Sequence, residues 1–502
     1  MSTFDPSYEP RQGSRDLTHC DADWSALRIV VAGLGISGFA AADALSERGA
    51  IVNAVSADAT PAIMERARIL EILDVDVRLG AEHLVDVPDG TELVVTSPGL
   101  RPDHPMLLAA AARGIPVWGE VELAWRMRAK SDAAPWITIT GTNGKTTTVK
   151  MLASILRAAG LRATSAGNVG TPLLEAVLHP DPYDVLAVEL SSFQLHWQRS
   201  VMPVASACLN FAPDHIDWHG SLEQYRRAKA KVYTATLVAC VYNVQDEATE
   251  QMVRDADVAE DCRAIGFTLG IPALSMVGMV DDVLADRAFV EQRKTSAAEL
   301  ATLADVRGRA PSVAPHFVAN ALAAAALARA YGVGPLAVRD GLRAFVPDPH
   351  RIEDVATVDG VRFVDDSKAT NAHAAAASLI AFEHVVWIAG GLLKGADVDA
   401  LVQSVAERLR GVVLIGADRG QIARALARHA PDVPVVDVPN TDTGVMDLVV
   451  ASAGDLAQPG DVVLLAPAAA SMDMFANYGA RGDAFAEAVH RYASRDEGPS
   501  AS

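Results

Sequence analysis

Short runs of β-branched and aliphatic residues alternate along this chain with longer stretches whose apolar positions recur every three or four residues. The runs at 27–32, 50–55 and 92–95 predict buried strands in the first third. Those at 136–140, 184–188 and 205–210 do so in the middle, and 362–364, 384–388, 412–415, 435–438 and 462–465 in the last third. Helix-period segments fill the gaps, including an Ala-rich one over 315–331. Strand, helix, strand repeated in this way predicts parallel sheets covered by helices. The fold class is therefore α/β, in three consecutive α/β domains. Segment 275–308 lacks either period and predicts a peripheral insertion.

Prolines and polar residues set the boundaries. Residues 131–135 read as one linker, and Phe345-Val346-Pro347-Asp348-Pro349-His350-Arg351 as another. The expected organisation is a disordered extension over 1–24, domains over 25–132, 133–346 and 347–495, and a disordered tail over 496–502. A chain of 502 residues suits about three domains.

Net charge is −20, which argues against a nucleic-acid or anionic-membrane partner and leaves any phosphate ligand to local cations and backbone donors. No apolar run reaches the ~18 residues of a membrane span, and the polar N-terminus has no signal-peptide core. The expected location is cytoplasmic and the expected state monomeric. Four cysteines without metal-type spacing read as reduced thiols.

The densest chemical signal is Gly141-Thr142-Asn143-Gly144-Lys145-Thr146-Thr147, between a β-branched run and a helix-period stretch. A Gly-rich turn there aims backbone N–H groups at one point, where the helix dipole also favours negative charge. Lys145 adds a mobile ammonium for terminal phosphates, and the Thr146 hydroxyl can ligate Mg²⁺. This is a nucleotide-triphosphate site, although the first glycine of the general P-loop pattern is missing. Glu189 ends the strand at 184–188, where a carboxylate beside such a loop holds Mg²⁺. Asp214 to His219 is a further polar cluster directly after a strand.

In the first domain, Gly33-Leu34-Gly35-Ile36-Ser37-Gly38 follows a strand and opens a helix. The acidic residue that a dinucleotide needs after the next strand is absent, since Ser56 stands there. The turn therefore reads as a phosphate binder without NAD or FAD. Ser97-Pro98-Gly99 offers a second such turn. In the third domain, Asp365-Asp366-Ser367-Lys368-Ala369-Thr370-Asn371 follows the first strand, where ligands bind in doubly wound sheets. Such parts fit a reaction that activates a carboxylate with ATP and captures it with an amine.

These motifs resemble those of the Mur ligases, the ATP-dependent amide ligases that build the peptide stem of bacterial peptidoglycan. The resemblance covers roughly 27–494. It rests on the 141–147 loop, Gly167-Asn168-Val169-Gly170, Glu189-Leu190-Ser191-Ser192-Phe193-Gln194, Asn210 through His215, Tyr225-Arg226-Arg227-Ala228-Lys229, Pro349-His350-Arg351 and Asp366 to Asn371. The last motif points to the branch that adds D-glutamate to UDP-N-acetylmuramoyl-L-alanine. Sibling ligases, folylpolyglutamate synthases and a non-catalytic nucleotide-binding regulator are the alternatives.

The resemblance implies a Rossmann-like N-terminal domain, a P-loop central domain and a Rossmann-like C-terminal domain. It implies catalytic roles for Lys145, His215 and Lys229. ATP would lie on Gly141 to Thr147 with Asn320, His350, Arg351 and Asp366. Mg²⁺ would be held by Thr146, Glu189, His215 and Lys229 as a carbamate. The uridine substrate would lie on Gly35, Ile36, Ser37, Ser97, Pro98, Gly99 and Asn168. D-Glutamate would meet Lys368, Thr370, Lys394, Ser471 and Tyr478. From its neighbours alone, Lys229 reads as a surface residue on a charged helix with Arg226, Arg227 and Lys231.

Overall fold

A computed structural model describes residues 15–307, 313–440 and 442–496. Its described residues form three sheets. The first contains β1 (Arg28–Ala32), β2 (Ile51–Ser56), β3 (Asp76–Leu79), β4 (Leu93–Thr96) and β5 (Val117–Gly119). Their order is β3-β2-β1-β4-β5, all parallel. The strand order reverses between β1 and β4, so the turns after these two strands face one crevice. β1 after Arg28 and β4 as far as Val95 are apolar and buried because helices cover both faces of the sheet.

The second sheet comprises β6 (Trp136–Thr140), β7 (Ala163–Gly167), β8 (Val185–Glu189), β9 (Ala205–Cys208), β10 (Ala239–Asn243), β11 (Arg263–Phe267), β12 (Met276–Val280), β13 (Val283–Asp286) and β14 (Ala298–Thr302). Their order is β14-β13-β12-β11-β10-β9-β6-β8-β7. β6 is central, paired in parallel with β8 and β9. The phosphate loop and the turns after Glu189 and Cys208 therefore emerge at the same edge. The segment expected to be an irregular insertion is corrected here: it supplies β12–β14, pairing antiparallel around an Asp281-Asp282 turn. Its alternation is hard to see because β12 is buried over three successive residues.

The P-loop helix, Lys145–Ala158, is held by the helix Pro335–Ala344. Ser154 Oγ donates to Gly341 O at 2.7 Å, and a Cβ at Gly341 would collide with the Ile155 backbone. The Ala-rich helix, Pro315–Ala330, is buried all round from Ala321 to Ala328, as suits a helix that is apolar on every face.

The third sheet contains β15 (Glu353–Val358), β16 (Val361–Asp365), β17 (Val385–Gly390), β18 (Leu409–Ile415), β19 (Val435–Asp437) and β20 (Val462–Leu465). The order is β15-β16-β20-β17-β18-β19, with only β15 antiparallel to its neighbour. Two compact units result: residues 1–306 with 319–345 hold the first two sheets, and 307–318 with 346–502 hold the third.

The expected N-terminal extension is corrected over 15–24. Trp24 is 1% exposed within the first unit's core, and Cys20 N donates to Arg128 O at 2.9 Å. Residues 1–14 and 497–502 lie outside the described residues. No helix among the described residues is long and apolar enough to cross a membrane.

Candidate active site

The phosphate loop turns on two glycines, Gly141 at φ +157° and Gly144 at φ +82°. Any side chain at Gly144 would be strained, and its Cβ would run into Asn320 Oδ1. Asn320, expected near the nucleotide, thus packs on the loop. Asn210 clamps the loop's middle, its Oδ1 accepting from Asn143 N at 2.8 Å and its Nδ2 donating to Asn143 O at 3.0 Å. The Thr142 hydroxyl lies 3.2 Å from Tyr225 OH. Lys145 Nζ donates to the Gly141 and Thr142 carbonyls at 2.9 and 3.0 Å, curled over the turn that it opens. Thr146 and Thr147 are buried beside it.

Two buried ionisable groups flank this loop. Glu189 is 1% exposed at the end of β8, adjacent to Ile139 of β6. Its Oε1 accepts from Asn168 Nδ2 at 2.9 Å, whereas its Oε2 is buried with no hydrogen-bond partner among the described residues. An anionic oxygen in that position has a large desolvation penalty and fits a cation.

Lys229 is the second group, and its reading as a surface residue is corrected. It is 2% exposed, donates from Nζ to Gly141 O at 2.7 Å, and sits 4.9 Å above the Tyr225 ring. Burial, and then the charge of Lys145, pull its pKa from 10.5 down to about 7. A signal was available: Tyr225, Ala228, Lys229 and Val232 fall at i, i+3, i+4 and i+7, and all four are buried. The arginines around Lys229 mask that stripe.

His215 opens the short helix Ile216–His219 from a left-handed conformation at φ +53°. Its ring meets the edge of Phe193 at 4.8 Å and lies 3.6 Å from Asp214. Burial lowers its pKa, opposed by Asp214. A neutral imidazole is the form that binds metal. Mg²⁺ fits this donor set of carboxylate, imidazole and the Thr146 hydroxyl.

At the first sheet's crevice, the expected substrate turns come together. Ser97 Oγ donates to Gly33 O at 3.0 Å, so this serine pins one turn against the other. Gly35 precedes the helix Ile36–Ser46, and Ile36 is 64% exposed at its mouth. Pro98 and Gly99 follow Ser97 directly. Ser56 is buried at the end of β2, and Gly80 N donates to its carbonyl at 2.8 Å.

In the second unit, His350 Nδ1 lies 2.7 Å from Asp365 Oδ2. Asp366 is buried against the Ser378 hydroxyl. Burial pushes its pKa up to about 7 while Arg351 works in the opposite direction. Lys368 Nζ sits 3.8 Å over the Tyr478 ring, uniting two residues expected at D-glutamate. Lys394, exposed at φ +54°, follows Leu392, which exchanges backbone hydrogen bonds of 2.8 and 3.0 Å with Ala470, the neighbour of Ser471. Thr370 lies half-buried in the same region of the sheet edge. Of the expected nucleotide residues, Asn320 belongs to the first unit and His350, Arg351 and Asp366 to the second.

Sequence reasoning missed Arg481. It is 1% exposed and donates to Ser367 Oγ at 2.9 Å, Ser367 O at 2.8 Å and Ala469 O at 3.1 Å, tying two site loops together. Nothing in its Gly-Ala-Arg-Gly-Asp context marks it as buried.

Comparisons with known proteins place the chain in a family. Three family models match in order: Mur ligase MurD-like, N-terminal domain, at 27–119; Mur ligase middle domain, at 139–328; and Mur ligase, glutamate ligase domain, at 350–469. The chain is 60% identical to the UDP-N-acetylmuramoylalanine--D-glutamate ligase of Streptomyces avermitilis, over 93% of this chain and 98% of the relative. Similar proteins of the same name occur in Thermobifida fusca (58%, over 93% and 98%) and Mycolicibacterium smegmatis (48%, over 92% and 96%). Among solved structures, the fold is similar to a pseudomurein peptide ligase type C from Methanothermus fervidus, with TM-score 0.55, 16% identity and coverage of 93% and 100%. It is also similar to UDP-N-acetylmuramate-alanine ligase MurC from Thermotoga maritima, with TM-score 0.53, 19% identity and coverage of 93% and 100%.

Proposed function

The chain belongs to the Mur ligase family, and on that premise we propose that it joins D-glutamate to UDP-N-acetylmuramoyl-L-alanine, converting ATP to ADP and phosphate. The observation that carries this reading is the pairing of a buried amine, Lys229, with a half-unpaired buried carboxylate, Glu189, around one phosphate loop. The substrates follow from the relatives' names and the high identity to them. The working domain boundaries are 25–132, 133–346 and 347–495.

The loop N–H groups from Gly141 to Thr147 hold the β- and γ-phosphates, and Lys145 leaves the loop carbonyls to meet them. Asn320 lines the nucleotide in the first unit, and His350, Arg351 and Asp366 are the second unit's own candidate nucleotide residues. The alanyl carboxylate attacks the γ-phosphorus, ADP leaves, and an acyl phosphate forms. The D-glutamate amine then attacks the carbonyl carbon, gives up a proton, and phosphate departs with the C–O bond electrons.

Lys229 supports this chemistry through its lowered pKa. At pH 7 about half of such an amine is neutral, against fewer than ~1 in 1,000 for an ordinary lysine. A neutral amine adds to CO₂, releases a proton and becomes an anionic carbamate. Mg²⁺ held by Thr146, Glu189, His215 and that carbamate would neutralise charge on the transferring phosphoryl group. Lys368, Thr370, Lys394, Ser471 and Tyr478 offer cations and hydroxyls to the two carboxylates of D-glutamate. Gly35, Ile36, Ser37, Ser97, Pro98, Gly99 and Asn168 take the uridine substrate.

The test is phosphate release by purified protein with UDP-N-acetylmuramoyl-L-alanine, ATP, Mg²⁺ and a panel of amino acids. Turnover dependent on D-glutamate supports the reading. Turnover with L-alanine or a diamino acid instead would assign a sibling activity.

A further inference from the structure

Glu120 carries no role in the chemistry above, yet it is 3% exposed and starts the helix Glu120–Arg126 at the end of the first domain. Its Oε1 accepts from Leu173 N at 3.0 Å, and the Leu174 N–H and the Ser37 hydroxyl are close enough to the same carboxylate to stabilise its charge. These donors come from two separate site elements. Ser37 lies in the Gly-rich turn of the first sheet. Leu173 and Leu174 follow directly on the 167–172 loop, whose Asn168 donates to Glu189.

That loop is stiff. Gly167 N donates to Thr171 O at 3.1 Å and Asn168 N to Glu189 O at 2.9 Å. A displacement at Leu173 is therefore passed to Asn168. One further contact gives the helix a second anchor, since buried Glu122 accepts from Arg199 N at 2.8 Å and Ser200 N at 2.9 Å.

We propose that Glu120 is a positioning residue for the uridine substrate, fixing the spacing between the Ser37 turn and the Asn168 loop. The inference deepens the reading of the substrate site given above and rests on it.

Variants Glu120→Gln, Glu120→Asp and Ser37→Ala test this by steady-state kinetics with each substrate varied in turn. Glu120→Gln preserves volume but turns an amide NH₂ against N–H and O–H donors. It should raise KM for UDP-N-acetylmuramoyl-L-alanine about tenfold or more, with KM for ATP and D-glutamate within about twofold. Glu120→Asp, which keeps the acceptor on a shorter arm, should recover part of the loss. Ser37→Ala, which removes one of three donors, should show a smaller rise in the same KM. A merely structural role would lower the melting temperature or the folded fraction without singling out one KM. An unchanged KM for the uridine substrate, or an equal rise in all three, overturns the proposal while wild-type turnover leaves the ligase reading standing. A wild-type enzyme inactive with D-glutamate removes that reading and the proposal with it.

Discussion

Replacing Lys229 by Met should kill the enzyme and stabilise the fold. Met keeps an unbranched side chain of similar length in the cavity and removes the amine. The folded environment lowers that amine from 10.5 to about 7. Because the folded pKa lies below the unfolded one, the unfolded chain holds a proton that the folded chain lacks between about pH 7 and 10.5. Stability therefore rises with pH across that window and is lowest below about pH 7. At about 1.4 kcal/mol per unit, the shift corresponds to roughly 4–5 kcal/mol of stability lost near pH 7. The variant also loses the 2.7 Å bond to Gly141 O. An unmade bond of that kind costs about 1–3 kcal/mol, leaving a net gain of about 2 kcal/mol. Calorimetry in CO₂-free buffer should show the first unit melting a few degrees higher in the variant at pH 6–7, with the difference vanishing near about pH 9 and reversing towards pH 10.5. ADP release should fall by ~10²–10³ or more. A variant that melts lower by the same amount at every pH, or that keeps near-normal turnover, would refute the account of Lys229 as a desolvated functional amine.

Gly144→Ala must adopt φ +82° with a Cβ driven into Asn320, so ATP affinity measured by calorimetry should fall at least about tenfold; wild-type affinity would mean that the turn relaxes freely. Glu189→Gln removes the charge on the buried unpaired oxygen, and the Mg²⁺ concentration for half-maximal ADP release should rise about tenfold or more, with KM for D-glutamate steady. An unchanged Mg²⁺ requirement would take Glu189 out of the metal site. Lys368→Ala frees the Tyr478 face and removes a cation, so KM for D-glutamate should rise about tenfold while KM for ATP stays within twofold; equal rises in both would mean that the lysine orders the loop rather than the amino acid.

The order of strands and helices and the position of each ligand-binding turn were legible in the linear pattern, because a buried parallel strand must be a continuous apolar run. The runs Ile29–Ala32 and Val185–Val188 are of this kind, and Trp136–Thr140 is buried throughout with threonines at alternate positions. β12–β14 were not legible. They lie at the end of their sheet and are only four or five residues long, and burial of three successive residues in β12 and in β13 removes the alternation that would mark an antiparallel strand. The ten residues before Ser25 were misread for a related reason: their composition is polar, but one tryptophan is enough to anchor them in the core.

What the sequence by itself determined is the set of chemical groups and the turns that carry them: a glycine where φ must be positive, a lysine and threonine after it, a carboxylate at the end of a strand. These signals are local, because backbone conformation and helix polarity act within a few residues. Only the tertiary structure decided which ionisable side chains lose their water. Lys229, Arg481 and Glu120 look like solvated charges in the chain and are each 3% exposed or less in the fold. Desolvation depends on elements distant in sequence closing over a group, and that closure gives Lys229 its lowered pKa and Glu120 its hold on two loops.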